Sequence, residues 1–306
     1  MDIRTFEFFA LSSDCALQLF ADEESTAQEA AAAAMNEVAR IEARYSRYRP
    51  DSELARINAI ASVGGSIEVD AETAGLLDYA YACYRKSGRL FDITSGLLRK
   101  AWDFSSERLP SGQAVGALLP RIGLDKVAWD VPWLTFATPG MELDFGGIGK
   151  EYAADRAAGI CRAMGVQHGL VDLGGDIRLV GPRSDGSPWR IGIRHPRIPS
   201  MSIATADLVS GALATSGDYE RFVEVKGRRY CHILNPHTGW PVRGLSSVSV
   251  ISEECLVAGS LATIAMLKGR DGVEWLRSLG VRHIFVDEDG NVGGTETNTS
   301  RATPSC

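Results

Sequence analysis

The sequence lacks several features that would each place it in a particular class of protein. No apolar run approaches the ~20 residues that a membrane-spanning helix requires. Basic residues do not exceed acidic ones: 32 Lys and Arg stand against 39 Asp and Glu, and the net charge of −7 argues against nucleic acid as the main partner. The first residues have no basic segment before an apolar core, so they do not resemble a signal peptide.

Closely spaced cysteine pairs are also missing. The six cysteines are scattered and form no C-x-x-C motif, so their spacing indicates neither a metal site nor a redox site. Free thiols are typical of a reducing compartment. We therefore expect free cysteines and a cytoplasmic location.

What is present is the composition of an ordinary globular protein. The 306 residues are 45% hydrophobic and 23% charged, and their length fits one large domain or two smaller ones. Predicted strands and helices alternate irregularly, which favours an α+β fold over a doubly wound parallel sheet. An opening strand is expected over about Thr5–Phe20, with a break at Ser12–Asp14. The first predicted helix has Ser25 as its N-cap and ends near Tyr48. Three further helices are predicted over Ala71–Ser87, Ile148–Met164 and Val257–Leu267.

The segment "LDFGGIGKEYAADRA" joins a predicted strand to a predicted helix through three glycines. It matches neither the G-x-G-x-x-G fingerprint of dinucleotide-binding proteins nor the phosphate loop, in which Gly-Lys precedes Ser or Thr. It can be a tight turn with only a structural role. Alternatively, the turn can bring backbone N–H groups and the positive end of a helix dipole to an anion. Lys150 in the first turn is unfavourable for the helix dipole, which suggests a separate reason for its positive charge.

Three other segments combine polar residues with turns, and each has a structural and a functional interpretation. In "GLVDLGGDIRLVG", Asp172 and Asp176 flank two glycines that suit an ordinary β-turn. The segment "ATSGDYERF" and the later His232 suggest a Ser-His-Asp hydrolase, but the G-x-S-x-G element is absent. "CLVAGSLATIAML" is typical of a buried helix, in which Thr263 would bond back to a helix carbonyl.

Considered together, these segments resemble a known family. "YSRYRPDSELARIN", "FDITSGLLRKAWDF", "LDFGGIGKEYAADRAA", "GLVDLGGDIR", "PWRIGI", "ATSGDYERF", "CHILNPHTGWPV" and "AGSLAT" occur in the order of the motifs of the ApbE family, the FAD:protein FMN transferases formerly described as thiamine-biosynthesis lipoproteins. The resemblance covers roughly residues 5–285. It implies an α+β fold with a T-fold-like core of mixed or antiparallel sheets flanked by helices, in one domain over residues 1–285. Residues 286–306 are then expected to contain the end of the final strand and a polar, disordered tail.

The resemblance also implies an activity. Family members bind FAD and Mg²⁺, split the FAD diphosphate, and transfer FMN to a Ser or Thr hydroxyl of an acceptor protein, releasing AMP. Acceptors have the motif D-x-x-(S/T)-G-A-(S/T). The segment Asp207–Leu213 resembles that motif but ends in Leu213, which has no hydroxyl; we expect it to belong to a core strand.

The same resemblance implies roles for individual residues. His232 and Asp218 would be catalytic, with His232 activating the acceptor hydroxyl. The Gly149 carbonyl and the Thr263 hydroxyl would bind the metal. The residues expected to contact FAD are Tyr48, Ala101, Trp102, Asp103, Phe104, Gly146, Gly147, Lys150, Asp176, Ser216, Gly217 and His232.

One position departs from the family pattern in a way that affects the expected metal site. The family's helix has Asp four residues before the metal-binding Thr, a spacing that places both side chains on one face. Here the Asp is replaced by Gly259. Another oxygen can supply the charge (Ser260, Glu253, Glu254 or Asp144), the metal can be held weakly with the FAD phosphates, or the protein can bind FAD without transferring FMN.

Overall fold

The computed structural model describes residues 2–106 and 108–296 of the chain. The α-helices in this part are α1 (Glu24–Tyr45), α2 (Glu53–Val63), α3 (Ala71–Lys86), α4 (Gly112–Gly116), α5 (Gly149–Ala163), α6 (Cys255–Lys268) and α7 (Asp271–Ser278). The strands are β1 (Asp2–Ala10), β2 (Ser13–Ala21), β3 (Gly65–Glu68), β4 (Val127–Asp130), β5 (Trp133–Phe136), β6 (His168–Leu173), β7 (Asp176–Gly181), β8 (Trp189–Arg194), β9 (Ser202–Leu208), β10 (Ala212–Gly217), β11 (Phe222–Val225), β12 (Arg228–Cys231), β13 (Leu245–Ser252), β14 (Arg282–Asp287) and β15 (Val292–Gly294).

The main sheet has eight strands in the order β1-β2-β6-β7-β10-β13-β14-β15. Every neighbouring pair in it is antiparallel. The remaining strands form the three-stranded sheet β3-β5-β4 and the two hairpins β8-β9 and β11-β12. The fold is therefore α+β with antiparallel sheets, as the sequence predicts.

Helices cover one face of the main sheet, and the β8-β9 hairpin covers the other. The hairpin buries its alternate apolar residues, among them Trp189 and Ile191, against sheet residues such as Leu179 and Leu213. On the helical side, the buried faces of α1 and α5 consist largely of alanines. Small side chains allow the two helix axes to come close. This packing fixes α5, and with it the segment of three glycines, against the sheet.

Most of the predicted elements are confirmed. The opening strand is a hairpin that turns at Leu11 and Ser12, which have φ of 54° and 59°. The predicted helices correspond to α1, α3, α5 and α6. The N-cap assignment of Ser25 is wrong, because α1 begins at Glu24 and Glu23 occupies the cap position. The Asp207–Leu213 segment was expected to be part of one strand, but it spans the end of β9, a turn and the start of β10.

Two further expectations concern the chain end and the cysteines. Residues 286–306 were expected to hold the end of the final strand and a disordered tail; β14 does end at Asp287, but the short strand β15 follows it, and residues 297–306 lie outside the described residues. Cys15, Cys83, Cys161, Cys231 and Cys255 are free and buried, as expected for the cysteines that the structure describes. None of the described helices has both the length and the apolar character that a membrane crossing requires.

Candidate active site

A cleft of about 670 Å³ opens where several loops meet one end of the main sheet. This volume is within the range of small-molecule and cofactor sites. The cleft collects residues from motifs that are far apart in the sequence. The predicted site residues that line it are Tyr48, Phe104, Gly146, Gly147, Gly149, Lys150, Asp176, Ser216, Gly217, His232 and Thr263.

The turn that contains Gly146 and Gly147 forms part of the cleft wall and leads directly into α5. It is closed by bonds from the N–H of Gly149 to the Phe145 carbonyl (2.7 Å) and from the N–H of Gly146 to Asp144 Oδ1 (2.9 Å). A Cβ on Gly147 would lie 3.4 Å from Phe91 Cζ, and open space surrounds the same position on Gly149. The turn therefore exposes backbone, rather than side chains, to the cleft.

Lys150 joins two of the predicted motifs. Its ammonium lies 2.9 Å from Asp176 Oδ2, at the start of β7, and that carboxylate is almost fully buried. Burial would lower the pKa of Lys150, but the carboxylates of Asp176 and Glu151 outweigh this effect and raise it. Lys150 is therefore a permanent positive charge in the cleft.

Glu151 is a buried acid of the cleft that the sequence prediction did not include. It lies in the first turn of α5, is only 7% exposed, and lines the cleft beside Lys150. No hydrogen-bond donor among the described residues reaches its Oε2 atom. Burial and the charge of Asp176 raise the pKa of Glu151 to about 8, against the opposing effect of Lys150. Glu151 and Asp176 are thus two buried acids near one ammonium, which forms its ion pair with Asp176.

The side chain of Glu151 lies against Gly259 on α6. A Cβ built on Gly259 would be 2.5 Å from both Cγ and Oε1 of Glu151. One turn further along α5, Asp155 accepts hydrogen bonds from the N–H groups of Cys255 and Leu256, both at 2.9 Å, and so caps α6. Helices α5 and α6 therefore run antiparallel here, with residue 155 beside residue 255 and residue 151 beside residue 259.

Of the four residues that the sequence suggested as substitutes for the missing Asp, Asp144 lines the cleft and the other three do not. Glu253 and Glu254 are exposed and do not line the cleft. The Ser260 hydroxyl is buried and donates to the Leu256 carbonyl at 2.8 Å. Asp144 lines the cleft, but it forms an ion pair with Arg47 and accepts from the N–H of Gly146.

Among the aromatic residues expected to contact FAD, Tyr48 and Phe104 line the cleft, whereas Trp102 lies behind Phe104. The rings of Trp102 and Phe104 stack, with centroids 5.5 Å apart. Trp102 is 3% exposed and donates from Nε1 to the Gly239 carbonyl at 2.8 Å. Ala101 packs in the same cluster, and Asp103 accepts hydrogen bonds from the backbone and hydroxyl of Ser105. Trp102 therefore supports the cleft wall without lining it.

His232 and Ser216 bring hydroxyl and imidazole chemistry to the same cleft. His232 Nδ1 is 3.2 Å from the Arg221 carbonyl. Because a carbonyl only accepts hydrogen bonds, this contact places the proton on Nδ1 and leaves Nε2 able to accept one. Although the side chain reaches solvent, the surrounding walls reduce its hydration and lower the pKa of His232. The Ser216 and Thr263 hydroxyls are 2.6 Å apart.

Asp218 is separated from this group. Its carboxylate binds both guanidinium nitrogens of Arg197, at 2.6 and 2.8 Å, beside a second and smaller cavity. It does not line the main cleft. The structure therefore brings together the other predicted catalytic and metal-binding residues, but not Asp218.

The donors in the cleft suit a hard cation such as Mg²⁺. Within residues 2–106 and 108–296, no cluster of three or more His, Cys, Asp or Glu side chains is arranged to hold a metal. Mg²⁺ does not require one, because it usually binds one or two carboxylates and completes its coordination with water and substrate phosphates. Thr263 and Glu151 both bring oxygen atoms to the cleft, and Oε2 of Glu151 has no hydrogen-bond donor among the described residues.

Comparisons with known proteins identify relatives of this chain. The model of the ApbE family matches residues 11–285. The chain belongs to the ApbE family. It is 30% identical over 242 residues to the FAD:protein FMN transferase of Haemophilus influenzae, covering 76% of this chain and 70% of that protein. It is 32% identical over 232 residues to the corresponding protein of Vibrio cholerae, covering 74% and 69%.

Solved structures of ApbE proteins share the fold along nearly the whole chain. An ApbE protein of Thermotoga maritima superimposes with a TM-score of 0.88 at 32% identity, covering 97% of this chain and 98% of the other. The apo form of a flavinyl transferase, ApbE, of Pseudomonas stutzeri gives a TM-score of 0.85 at 28% identity, with 96% and 95% covered. Both the family resemblance and the predicted fold class are thereby confirmed.

Proposed function

We propose that this protein transfers FMN from FAD to a Ser or Thr hydroxyl of an acceptor protein, depends on Mg²⁺, and releases AMP. The main support is the grouping of Lys150, the Glu151 and Thr263 oxygens, and the free Nε2 of His232 around one cleft in an ApbE family member. Phosphoryl transfer depends mainly on positioning and on neutralising phosphate charge, and these are the groups that such a reaction needs.

The chemistry assigns a role to each group. The acceptor oxygen attacks the phosphorus on the FMN side of the diphosphate, the bond from that phosphorus to the bridging oxygen breaks, and AMP leaves. The acceptor proton passes to Nε2 of His232, which the Arg221 carbonyl keeps in the required tautomer. Lys150 offsets the charge of the diphosphate. Mg²⁺, held by the Thr263 hydroxyl, a carboxylate and the Gly149 carbonyl, would further neutralise the phosphate oxygens.

The cleft also has aromatic surfaces suited to binding a flavin. Tyr48 at the rim is 72% exposed, and Phe104 is supported from behind by Trp102. We propose that these rings contact the flavin or adenine, while the backbone at Gly146 and Gly147 approaches the diphosphate. The cytoplasmic location remains a prediction, as does the single domain over residues 1–285.

The function can be tested with purified protein, FAD, Mg²⁺ and a peptide that contains the motif D-x-x-(S/T)-G-A-(S/T). The peptide should become covalently labelled with flavin, detected by its fluorescence. No labelling should occur when FMN replaces FAD, because the diphosphate bond supplies the leaving group. A peptide with Val at the accepting position is the matched control. Tight binding of FAD without any labelling would instead support the alternative, a flavin-binding protein without transferase activity.

A further inference from the structure

We propose that Glu151 supplies the metal-binding carboxylate of this cleft, in place of the side chain that Gly259 lacks. The carboxylate has moved from α6 to α5, so the metal site is rebuilt rather than lost. This inference rests on the proposed function for its choice of metal and substrate. It concerns residues of this chain and can be tested by metal binding alone.

The first argument is steric. A side chain on residue 259 would force Glu151 to shift, because a Cβ on residue 259 would lie 2.5 Å from Cγ and Oε1 of Glu151. The carboxylate of Glu151 therefore fills the space into which a residue-259 side chain would project. Glycine at position 259 leaves room for Glu151 in its observed position.

The second argument concerns the metal-binding face of α6. Residues 259 and 263 are one helical turn apart on one face, and Thr263 lines the cleft. The antiparallel pairing of α5 and α6, fixed by Asp155 at the N-terminus of α6, brings Glu151 to this face. Glu151 thus lies beside the face of α6 that carries Thr263. A carboxylate on residue 259 would lie on the same face.

The third argument is the state of the carboxylate itself. Glu151 is buried, its Oε2 has no hydrogen-bond donor among the residues described, and the ammonium of the adjacent Lys150 is paired with Asp176. Burying a carboxylate without a partner is unfavourable, and so is glycine inside a helix. A cation at this contact explains both features, because it pairs with the carboxylate of Glu151, and Gly259 leaves space for that carboxylate.

Mn²⁺ serves as the probe, with its free concentration read by electron paramagnetic resonance, with and without saturating FAD. The proteins are the wild type, E151Q, E151G, the exchange variant E151G/G259D, and E254Q as a control on an exposed carboxylate. We expect E151Q to weaken Mn²⁺ binding by about tenfold or more and E254Q to leave it unchanged. The exchange variant should bind Mn²⁺ more tightly than E151G, because it returns the carboxylate from the other helix.

Equal Mn²⁺ affinity of the wild type and E151Q would overturn the proposal. So would an exchange variant that binds no tighter than E151G, and this comparison remains decisive if E151Q fails to fold. FAD binding, followed by flavin fluorescence, separates this result from the proposed function. If Mn²⁺ affinity depends on Glu151 but the protein neither binds FAD nor labels the peptide, the proposed function is refuted. The assignment of Glu151 as a metal ligand would still stand.

Discussion

The contact between Glu151 and Gly259 predicts that a methyl group added at position 259 lowers the free energy of unfolding when residue 151 is Glu and raises it when residue 151 is Ala. In a helix interior, Gly→Ala ordinarily stabilises by about 1 kcal/mol. Here the added Cβ would be 2.5 Å from Glu151 Cγ, and forcing a group into packed space typically costs about 1–3 kcal/mol. Gly259→Ala should therefore lower the free energy of unfolding by about 0–2 kcal/mol in the wild type.

In a Glu151→Ala background the three atoms nearest to the new Cβ are absent, and only the helix propensity remains. The same Gly259→Ala change should then raise the free energy of unfolding by about 1 kcal/mol. The coupling energy of the double-mutant cycle should accordingly be about 1–3 kcal/mol. Urea unfolding of the four proteins, with unchanged m-values, measures it. An equal stabilisation by Gly259→Ala in both backgrounds would refute the steric argument.

The other predictions concern the cleft and its surroundings. His232→Ala should lower the transfer rate by about 10²–10⁴-fold, while the exposed His237→Ala should leave it unchanged. The pKa of His232 is below its ordinary 6.5, so the imidazole is still largely neutral at pH 6.5. The midpoint of the fall of kcat/KM at acid pH should therefore lie below 6.5, and a midpoint above 6.5 would contradict this. Trp102→Ala should reduce the free energy of unfolding by about 3–5 kcal/mol. By contrast, Tyr48→Ala should change it by less than about 0.5 kcal/mol and yet weaken FAD binding, as titration of flavin fluorescence would show. Asp218→Asn should cost about 1 kcal/mol of stability and leave transfer intact; a large loss of transfer at unchanged stability would support the catalytic role suggested by the family resemblance.

Much of the helical structure can be predicted from local signals. Helix α3 begins after Asp70, whose side chain accepts from the N–H of Thr73, and it ends just before Gly88, which has a φ of 71°. Helix α5 likewise ends before Gly165, with a φ of 89°. These caps and stops act within a few residues, so the sequence displays them directly. Helix α2 is not among the predicted helices, although its N-cap Ser52, which accepts from the N–H of Ala55, is an equally local signal.

The predicted motif residues mostly converge on one cleft because they lie at the ends of neighbouring elements. Lys150 and Asp176 belong to different motifs, and their ion pair explains the positive charge at the start of α5, where the helix dipole alone would disfavour it. Trp102 and Asp218 are exceptions. Their positions behind the wall and beside a second cavity depend on how loops pack, and nothing in the motif spacing records this.

Glu151 shows most clearly what the sequence could not provide. It is adjacent to Lys150 in the printed chain, but its importance depends on the phase of α5 relative to α6. That phase is set by contacts between residues about 100 positions apart, such as the bond from the Cys255 N–H to Asp155. The glycine at position 259 and the glutamate at position 151 are informative only as a pair, and a single sequence presents them as unrelated.

The most direct test of the account is the stoichiometry of the reaction. The protein would be incubated with FAD and the acceptor peptide, in Mg²⁺ or in EDTA, and both released AMP and peptide mass would be measured. We expect AMP to appear in an amount equal to that of peptide whose mass has increased by one FMN less one water, in Mg²⁺ only. FAD that remains intact in Mg²⁺, bound to a folded protein, would contradict the proposed transfer.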